Sequence, residues 1–104
     1  MIIAIVTFEL GKPTSLADAT KMFQSTAPRY QGLAGLVRKN YLLSEDGRRA
    51  GGVYLWETRA DAERVYNDEW RKVMTDKYGA PPRVEYLDSP VMVDNRQGKI
   101  SVAA

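Results

Sequence analysis

The amino-terminal residues 2–9 form an uninterrupted run of apolar, mostly β-branched side chains. Alternate side chains of an extended strand point to opposite faces, and the two sets are Ile3, Ile5 and Thr7 on one face and Ile2, Ala4, Val6 and Phe8 on the other. Because both sets are mostly apolar, the pattern predicts a central strand that is covered on both faces. The Gly-Lys-Pro segment at residues 11–13 ends this strand.

Two later segments carry helix-start signals followed by apolar residues at helical spacing. Ser15 and Thr58 each precede an aspartate by three residues, so each hydroxyl oxygen is placed to accept a hydrogen bond from the first turn. We expect the first helix to end before Pro28 and the second to run from Thr58 to a glycine cap at Gly79. The apolar stripe of the second helix consists of Ala62, Val65, Tyr66, Trp70, Val73 and Met74.

Further strands are predicted over residues 33–44, 49–57 and 83–88, with a short fifth strand over residues 91–93. The resulting order of elements is β-α-β-β-α-β. This order is typical of a ferredoxin-like α+β fold with an antiparallel sheet. We interpret residues 1–95 as one such domain and residues 96–104 as a carboxy-terminal tail.

The predicted strands carry apolar side chains on both faces, whereas the helices of a ferredoxin-like fold normally cover only one face. Something outside the fold must therefore cover the second face, and a second copy of the chain is the simplest candidate. The sequence thus predicts a homodimer formed through the open sheet face. The tail of residues 96–104 is a candidate for contact with the partner subunit.

Asp46-Gly47 is the strongest hairpin signal in the chain, and it predicts a two-residue type I′ turn. Such a turn pairs Glu45 with Arg48 and thereby sets the register of the two strands. The pairs expected on one face are Val37 with Trp56, Lys39 with Tyr54, and Tyr41 with Gly52. The pairs expected on the other face are Arg38 with Leu55, Asn40 with Val53, and Leu42 with Gly51.

The consecutive glycines Gly51 and Gly52 are unusual inside a strand, where glycine is destabilising. Tyr41, opposite Gly52, would cover the exposed backbone there, as aromatic residues do across strand pairs. Gly51 has no such partner. It could form a β-bulge, or it could leave room for a ligand or for the backbone of a partner subunit.

The composition excludes several kinds of site. The chain has no cysteine and no histidine, which removes disulfides, thiolate chemistry and the usual ligands of haem and non-haem iron. We therefore predict no metal and no cofactor. The 15 Lys and Arg residues are interleaved with 13 Asp and Glu residues, which disfavours nucleic-acid binding. Because no apolar run approaches ~20 residues and no signal-peptide features occur, we expect a cytoplasmic protein that does not contact membranes.

The stretch A-G-G-V-Y-L-W-E-T at residues 50–58, followed by Ala62 and Tyr66, resembles the YdhR-like family of inferred monooxygenases. The similarity extends to residues 35–41 and 86–90. The resemblance implies a ferredoxin-like protomer that pairs through its sheet into a dimeric α/β barrel. Members of that superfamily include cofactor-free oxygenases of polycyclic phenols, haem-degrading enzymes, chlorite-dismutase-like proteins and lactone isomerases. The absence of histidine disfavours the haem-dependent members.

Four aromatic residues are concentrated on the third strand and the second helix, namely Tyr54, Trp56, Tyr66 and Trp70. They could simply pack the helix against the sheet. Alternatively, some of them could line an aromatic pocket between these two elements, where a small aromatic ligand would bind.

Arg38 and Asn40 share one strand face with Leu36 and Leu42, and buried polar groups in such an apolar stripe need partners. They could lie at an exposed edge or form a salt bridge across the dimer. Alternatively, Arg38 could neutralise, and Asn40 donate to, a bound phenolate or carboxylate. Lys39, opposite Tyr54, could form a cation–π pair or a simple surface pair.

Two functions are compatible with these features. The first is a cofactor-independent monooxygenase that acts on a small aromatic or phenolic substrate in a cleft between the sheet and the helices. Such an enzyme needs an apolar cleft, a cation or donor for the phenolate, and protection from water. The alternative is a non-catalytic homodimer that binds a small molecule or acts in stress responses. The sequence assigns no catalytic residue in either case.

Overall fold

The computed structural model describes residues 1–103, which form an α+β fold built on a four-stranded antiparallel sheet. The elements in chain order are β1 (Ile2–Glu9), α1 (Leu16–Thr26), a 3₁₀ turn (Ala27–Arg29), β2 (Leu36–Leu43), β3 (Arg49–Trp56), α2 (Arg59–Val65), α3 (Asp68–Tyr78), β4 (Arg83–Asp88), β5 (Val91–Asp94) and β6 (Lys99–Val102). The strand order of the sheet is β2-β3-β1-β4. This is the ferredoxin-like arrangement that the order of elements predicts.

β1 is one of the two inner strands of the sheet, as its two-sided apolar pattern predicts. It pairs with β3 along one edge and with β4 along the other. On the side that faces the helices, Ala4 and Val6 are almost completely buried and form a cluster with Trp56 and Ala62. A strand hydrogen-bonded on both edges and covered in this way is stabilised by every neighbouring element.

All three helices contact the same face of the sheet, which we call the helix face. The Phe23 ring of α1 stacks on Tyr41 with 4.7 Å between ring centroids. The Tyr78 ring of α3 stacks on Phe8 at 4.4 Å. Ala62 of α2 lies in the buried core cluster. The other side of the sheet carries no helix from residues 1–103, and we call it the open face.

The helix-end signals are confirmed. The side-chain oxygens of Ser15 and Thr58 accept hydrogen bonds from the backbone amides of Asp18 and Asp61 at 3.1 Å each. Gly79 ends α3 in the left-handed conformation that glycine adopts without strain.

The prediction of one continuous helix from Thr58 to Gly79 is wrong, because two helices occupy this segment. α2 ends at Val65 and α3 begins at Asp68, and the side chain of Asn67 accepts a hydrogen bond from the Trp70 amide at 2.9 Å. An asparagine side chain competes with helical hydrogen bonding and is favoured at helix starts. The break leaves Tyr66 between the helices, with its ring buried in the core.

The predicted register of the β2–β3 hairpin is confirmed over most of its length, from Arg38 opposite Leu55 to Leu42 opposite Gly51. The pair of Val37 with Trp56 is wrong. Leu36 lies opposite Trp56 instead, and the register shifts between Leu36 and Arg38. Val37 is therefore the extra residue of a β-bulge at the far end of the hairpin.

The predicted type I′ turn at Asp46-Gly47 is also wrong, although it gives the correct register. The Ser44 amide donates to the Arg49 carbonyl at 2.9 Å, and only Gly47 has a positive φ within this loop. The Asp46 carboxylate accepts from the Ser44 hydroxyl and the Arg48 amide, which stabilises a longer loop over residues 45–48. A four-residue loop centred on the same point leaves the strand pairing unchanged.

Gly51 is not part of a bulge, because it pairs in register with Thr7 of β1 and Leu42 of β2. A Cβ atom at this position would overlap the Val6 carbonyl oxygen, far inside the normal carbon–oxygen contact distance. The glycine is therefore required by the close approach of the β1 backbone. At Gly52 the cross-strand pairing with Tyr41 is confirmed, but an added Cβ would contact Tyr54 Cε1 at 3.1 Å and Lys39 Cε at 3.2 Å.

The carboxy-terminal strands β5 and β6 form a separate two-stranded hairpin. β5 confirms the short fifth strand, whereas β6 lies in the segment predicted to be a tail; Ala104 lies outside the described residues. The cross-strand pairs Val91 with Val102 and Val93 with Ile100 place four aliphatic side chains on one face of the hairpin. All four are more than half exposed, and a two-stranded hairpin is only marginally stable by itself.

Candidate ligand site between the helices and the sheet

The six residues proposed from the sequence as ligand contacts lie on two sides of the sheet. Tyr54, Trp56, Tyr66 and Trp70 contact one another on the helix face. Arg38 and Asn40 line a cleft on the open face. Within one chain the sheet therefore lies between the aromatic cluster and this cleft.

The buried aromatic residues on the helix face form a continuous cluster. Trp56 is 0% exposed, and its indole Nε1 donates to the Tyr66 hydroxyl at 3.2 Å. The Trp56 and Tyr66 rings meet edge to face with 5.9 Å between centroids. Burial raises the pKa of Tyr54 and Tyr66 far above the usual tyrosine value. Both phenols therefore remain neutral, and Trp56 and Tyr66 act as packing residues behind the site.

A cavity of about 60 Å³ lies beside this cluster, between α1, α3 and the helix face of the sheet. Its aromatic walls are formed by Phe8, Phe23, Tyr30, Tyr41, Tyr54, Trp70 and Tyr78. Tyr54 and Trp70 are thus the two sequence-predicted residues that line it. A cavity of roughly 150 Å³ holds a benzene ring, so a ring binds here only when side chains move aside. Met22 and Met74 also line the cavity, and methionine side chains are flexible enough to do so.

Lys39 is the unexpected member of this site. Its Nζ lies 3.5 Å from the ring centroid of Tyr30, 3.8 Å from that of Tyr41, and 4.6 Å from that of Tyr54. The predicted contact between Lys39 and Tyr54 is therefore present, together with two further rings. Lys39 is not among the ligand contacts that the sequence predicts. The predicted strand register could have indicated this role, because it places Lys39 on the same strand face as Tyr41 and directly opposite Tyr54.

Burial lowers the pKa of Lys39 from 10.5 to about 7. The physical cause is the loss of water around the ammonium group, which disfavours the charged form. The three ring faces act in the opposite direction, because their negative potential attracts an ammonium ion. Near neutral pH, Lys39 is thus able either to accept a proton or to hold an anion.

Trp70, whose ring lines the cavity, also carries an unpaired polar group. Its indole Nε1 is buried and has no hydrogen-bond partner among the described residues. Buried donors are normally paired, and an unpaired one costs free energy. An acceptor atom of a bound molecule would satisfy this donor. The side chain is held in place by contacts with Tyr66 at 4.9 Å and Phe8 at 6.3 Å between ring centroids.

A larger groove of about 590 Å³ lies on the outer side of the Lys39 cluster, between β2 and the segment that follows α1. Tyr30, Lys39 and Tyr41 line both the groove and the inner cavity. These three side chains therefore form the wall between solvent and the cavity. The Tyr41 hydroxyl and Thr26 Oγ1 are hydrogen-bonded at 2.7 Å, which ties this wall to α1.

The cleft that contains Arg38 and Asn40 has a volume of about 340 Å³ and lies between the open face and β5. Arg38 is 4.0 Å from the Asp94 carboxylate, and its side chain is 56% exposed. An ion pair at this distance and exposure contributes little to stability. The remaining lining is mostly aliphatic, with Val53 and Leu55 from the sheet and Val91 from the hairpin.

Residues 1–103 contain neither a cluster of metal-binding side chains nor a membrane-spanning helix. The acidic side chains form no group of three that could hold a metal ion. No helix in this part of the chain is long and apolar enough to span a membrane.

The overall structure is similar to several solved monooxygenases. The monooxygenase from the gene ActVA-Orf6 of Streptomyces coelicolor, solved in complex with nanaomycin D, aligns with a TM-score of 0.64 and 18% sequence identity, covering 85% of this chain and 86% of that one. The fold is that of the antibiotic biosynthesis monooxygenases. A protein of Bordetella bronchiseptica, inferred to be such a monooxygenase, gives a TM-score of 0.62 with 22% identity over 85% of this chain and 95% of that one.

A third antibiotic biosynthesis monooxygenase aligns with a TM-score of 0.61 and 11% identity, covering 86% of this chain and 98% of that one. No protein-family profile and no curated protein matches the sequence. At these identities the likeness to the antibiotic biosynthesis monooxygenases establishes the fold, and a fold alone does not determine a reaction.

Proposed function

We propose that this protein is a cofactor-independent monooxygenase that acts on a small aromatic or phenolic substrate. The observation that carries the proposal is the cavity on the helix face, with seven aromatic side chains and one partly buried lysine in its walls. The fold shared with antibiotic biosynthesis monooxygenases supports the same reaction class. The resemblance of residues 50–58 to the YdhR-like family is consistent with it.

The reaction needs no external reductant. A phenolate or related carbanion is electron-rich enough to reduce dioxygen, so the substrate supplies all the electrons. One oxygen atom of O₂ becomes bonded to the substrate carbon and the other leaves as water. For a hydroquinone, the products are a hydroxyquinone and one water molecule. The protein must bind and orient the substrate, favour its ionised form, and keep bulk water away.

Within this proposal, Tyr54 and Trp70 contact the substrate, because both line the cavity. Trp56 and Tyr66 hold those two rings in position from behind. Asn40 would not contact the same molecule, since it lines the open-face cleft, whereas Arg38 borders both that cleft and the outer groove beside Lys39.

We further propose that a second copy of the chain covers the open face. Leu42 and Leu87 on this face are each 44% exposed, and the β5–β6 hairpin adds four exposed aliphatic side chains. An isolated chain would leave these groups in water, whereas a two-fold dimer would bury them against the same surface of the partner. The hairpin is the segment that would reach the partner subunit, and Arg38 and Asn40 would lie near the interface.

Oxygen uptake tests the enzymatic proposal. Protein is mixed with a panel of hydroquinones and anthrones, and oxygen consumption is followed with an electrode, with product formation followed by absorbance. We expect uptake above the uncatalysed rate, a tenfold or greater loss in Trp70→Phe, which keeps a ring but removes the N–H, and no change in Lys72→Met on the exposed side of α3. Uptake at the background rate with every substrate would reject the proposal.

The alternative function is a non-catalytic protein that binds a small aromatic molecule. The unpaired Nε1 of Trp70 favours occupancy of the cavity but does not require turnover. This alternative predicts saturable quenching of tryptophan fluorescence by the same panel, with no oxygen consumed. Turnover of any bound compound would exclude it.

A further inference from the structure

The charged residues around the cavity are all cations. Arg29, Lys39 and Lys77 line it, and no aspartate or glutamate does. Lys39 is the most enclosed of the three, because Tyr30, Tyr41 and Tyr54 surround its amine on three sides. A buried charge is normally paired with an opposite charge. The Lys39 ammonium has no such partner in any salt bridge found among the described residues.

The groups that face Lys39 from every neighbouring element leave its positive charge uncompensated. Tyr41 is on the same strand, Tyr54 on β3, and Tyr30 follows the 3₁₀ turn. Burial raises the pKa of Tyr41 and Tyr54, so neither supplies a phenolate near neutral pH. The other cavity cations, Arg29 and Lys77, would repel a charged Lys39. A ligand is therefore the natural source of the missing negative charge.

We propose that Lys39 accepts the proton of a bound phenol and then holds the phenolate oxygen as its counter-ion. The phenol O–H bond breaks, an N–H bond forms on Lys39 Nζ, and no electron moves in this step. The Trp70 ring also lines the cavity, and its buried N–H lacks an acceptor. The inference rests on the proposed phenolic substrate, and it makes Lys39 a catalytic residue that prepares the phenolate for reaction with O₂.

The relative acidities limit which phenols qualify. For a phenol as weakly acidic as tyrosine, with a pKa of about 10, proton transfer to an amine of pKa about 7 is unfavourable by a factor of roughly a thousand. The attraction between the new charges is strong in a cavity that excludes water, and it opposes this bias. Proton transfer to Lys39 is therefore most complete for phenols that are more acidic than tyrosine, and weaker acids such as hydroquinones depend on this attraction for their ionisation.

The position of Lys39 also fits access to the site. Its side chain borders both the inner cavity and the outer groove of about 590 Å³. A ring that enters from the groove would meet the lysine before it reaches Tyr54 and Trp70. Displacing the flexible lysine side chain would both enlarge the cavity and bring the amine next to the ligand oxygen.

Binding of 4-nitrophenol tests the inference without turnover, because this phenol is not electron-rich and its ionised form has a distinct absorption band. At pH 8.5 the free probe is ionised and Lys39 is mostly neutral. Binding should therefore take up close to one proton, measured by calorimetry in buffers of different ionisation enthalpy. We expect Lys39→Met to lose this uptake and at least tenfold in affinity. Lys39→Arg should keep the affinity within about threefold without proton uptake, since arginine stays charged.

Matched controls separate Lys39 from the other cations and from general damage to the fold. Lys72→Met, at an exposed position of α3, should retain the proton uptake, and Lys77→Met tests whether the second cavity lysine takes up the proton instead. The neutral analogue 4-nitroanisole should bind wild type and Lys39→Met within twofold of each other. Proton uptake that persists in Lys39→Met, or that is lost in Lys77→Met instead, would overturn the inference.

The two proposals fail in distinguishable ways. If hydroquinones consume oxygen equally fast in wild type and Lys39→Met, the monooxygenase proposal stands and the role of Lys39 is rejected. If 4-nitrophenolate binding depends on Lys39 but no substrate consumes oxygen, the phenolate site stands and the monooxygenase is rejected.

Discussion

The two faces of the main sheet are built from the same strands but have different chemistry. On the helix face, Tyr54 and Trp56 are buried among other aromatic rings, with Lys39 beside them. On the open face, the alternate residues Val53 and Leu55 are aliphatic and form the floor of a cleft. Helices close the first face within one chain, whereas the second face has only the β5–β6 hairpin near it. The helix face thus encloses an aromatic cavity within the chain, whereas the open face leaves aliphatic side chains such as Leu42 and Leu87 partly exposed.

The largest effect on stability is expected from Trp56→Ala on the helix face. The side chain is completely buried and its indole N–H is bonded to Tyr66. Removing it should lower the free energy of unfolding by about 3–5 kcal/mol, because a cavity forms and a buried hydroxyl loses its partner. Urea denaturation followed by circular dichroism measures this loss. A change below about 1 kcal/mol would show that the aromatic cluster is not the core.

The next largest effect distinguishes the two glycines of β3. Gly51→Ala would force a methyl group against the Val6 carbonyl, so we expect a loss of about 1–3 kcal/mol. Gly52→Ala should cost less, because two of the three nearest atoms belong to the side chains of Tyr54 and Lys39. The same denaturation experiment ranks the two variants, and the reverse ranking would contradict the close approach of β1.

A smaller effect is expected in how stability depends on pH. The pKa of Lys39 is about 7 in the folded chain and near 10.5 when unfolded. Between these values the unfolded chain binds more protons, so Lys39 makes stability rise as pH increases from 7 to about 9. Lys39→Met should remove this rise and be more stable than wild type at pH 7. Lys72→Met, at an exposed position, should leave the rise unchanged.

The smallest effect on the single chain is expected on the open face. Leu42→Glu and Leu87→Glu replace side chains that are already 44% exposed, so they should change the stability of the monomer by only about 0.5 kcal/mol. Light scattering should give about twice the single-chain mass of 11.7 kDa for wild type and a lower mass for these variants. A wild-type mass near 11.7 kDa would contradict the dimer.

Most of the fold follows from local sequence signals. The caps at Ser15, Thr58 and Gly79 act over one helical turn, and each is found where the sequence predicts it. The break at Asn67 was missed because the apolar stripe continues across it, although asparagine is a typical helix-start residue. The β6 strand was missed because its segment is short and mostly polar, and it forms only through pairing with β5.

The candidate site was only partly predictable. Tyr54 and Trp70 were identified as aromatic contacts, and both line the cavity. Arg38 and Asn40, which are also predicted as ligand contacts, lie on the sheet face opposite to that of Tyr54, as the predicted strand register implies. The burial of Lys39 in the cavity wall could not be predicted, because a lysine side chain in a strand is usually exposed to solvent. Only the three surrounding rings, from separate segments of the chain, reveal its burial.

The sequence by itself determined the order of elements, the central position of β1 and most of the β2–β3 register. These features depend on the spacing of apolar residues along the chain and on short-range hydrogen bonds, both of which involve residues that are close together in the sequence. The tertiary structure decided that Gly51 accommodates the β1 backbone, that Val37 forms the bulge, and that Lys39 lies among tyrosines. Those outcomes depend on distances between segments far apart in the chain, because burial and close approach are set only when helices and strands pack together.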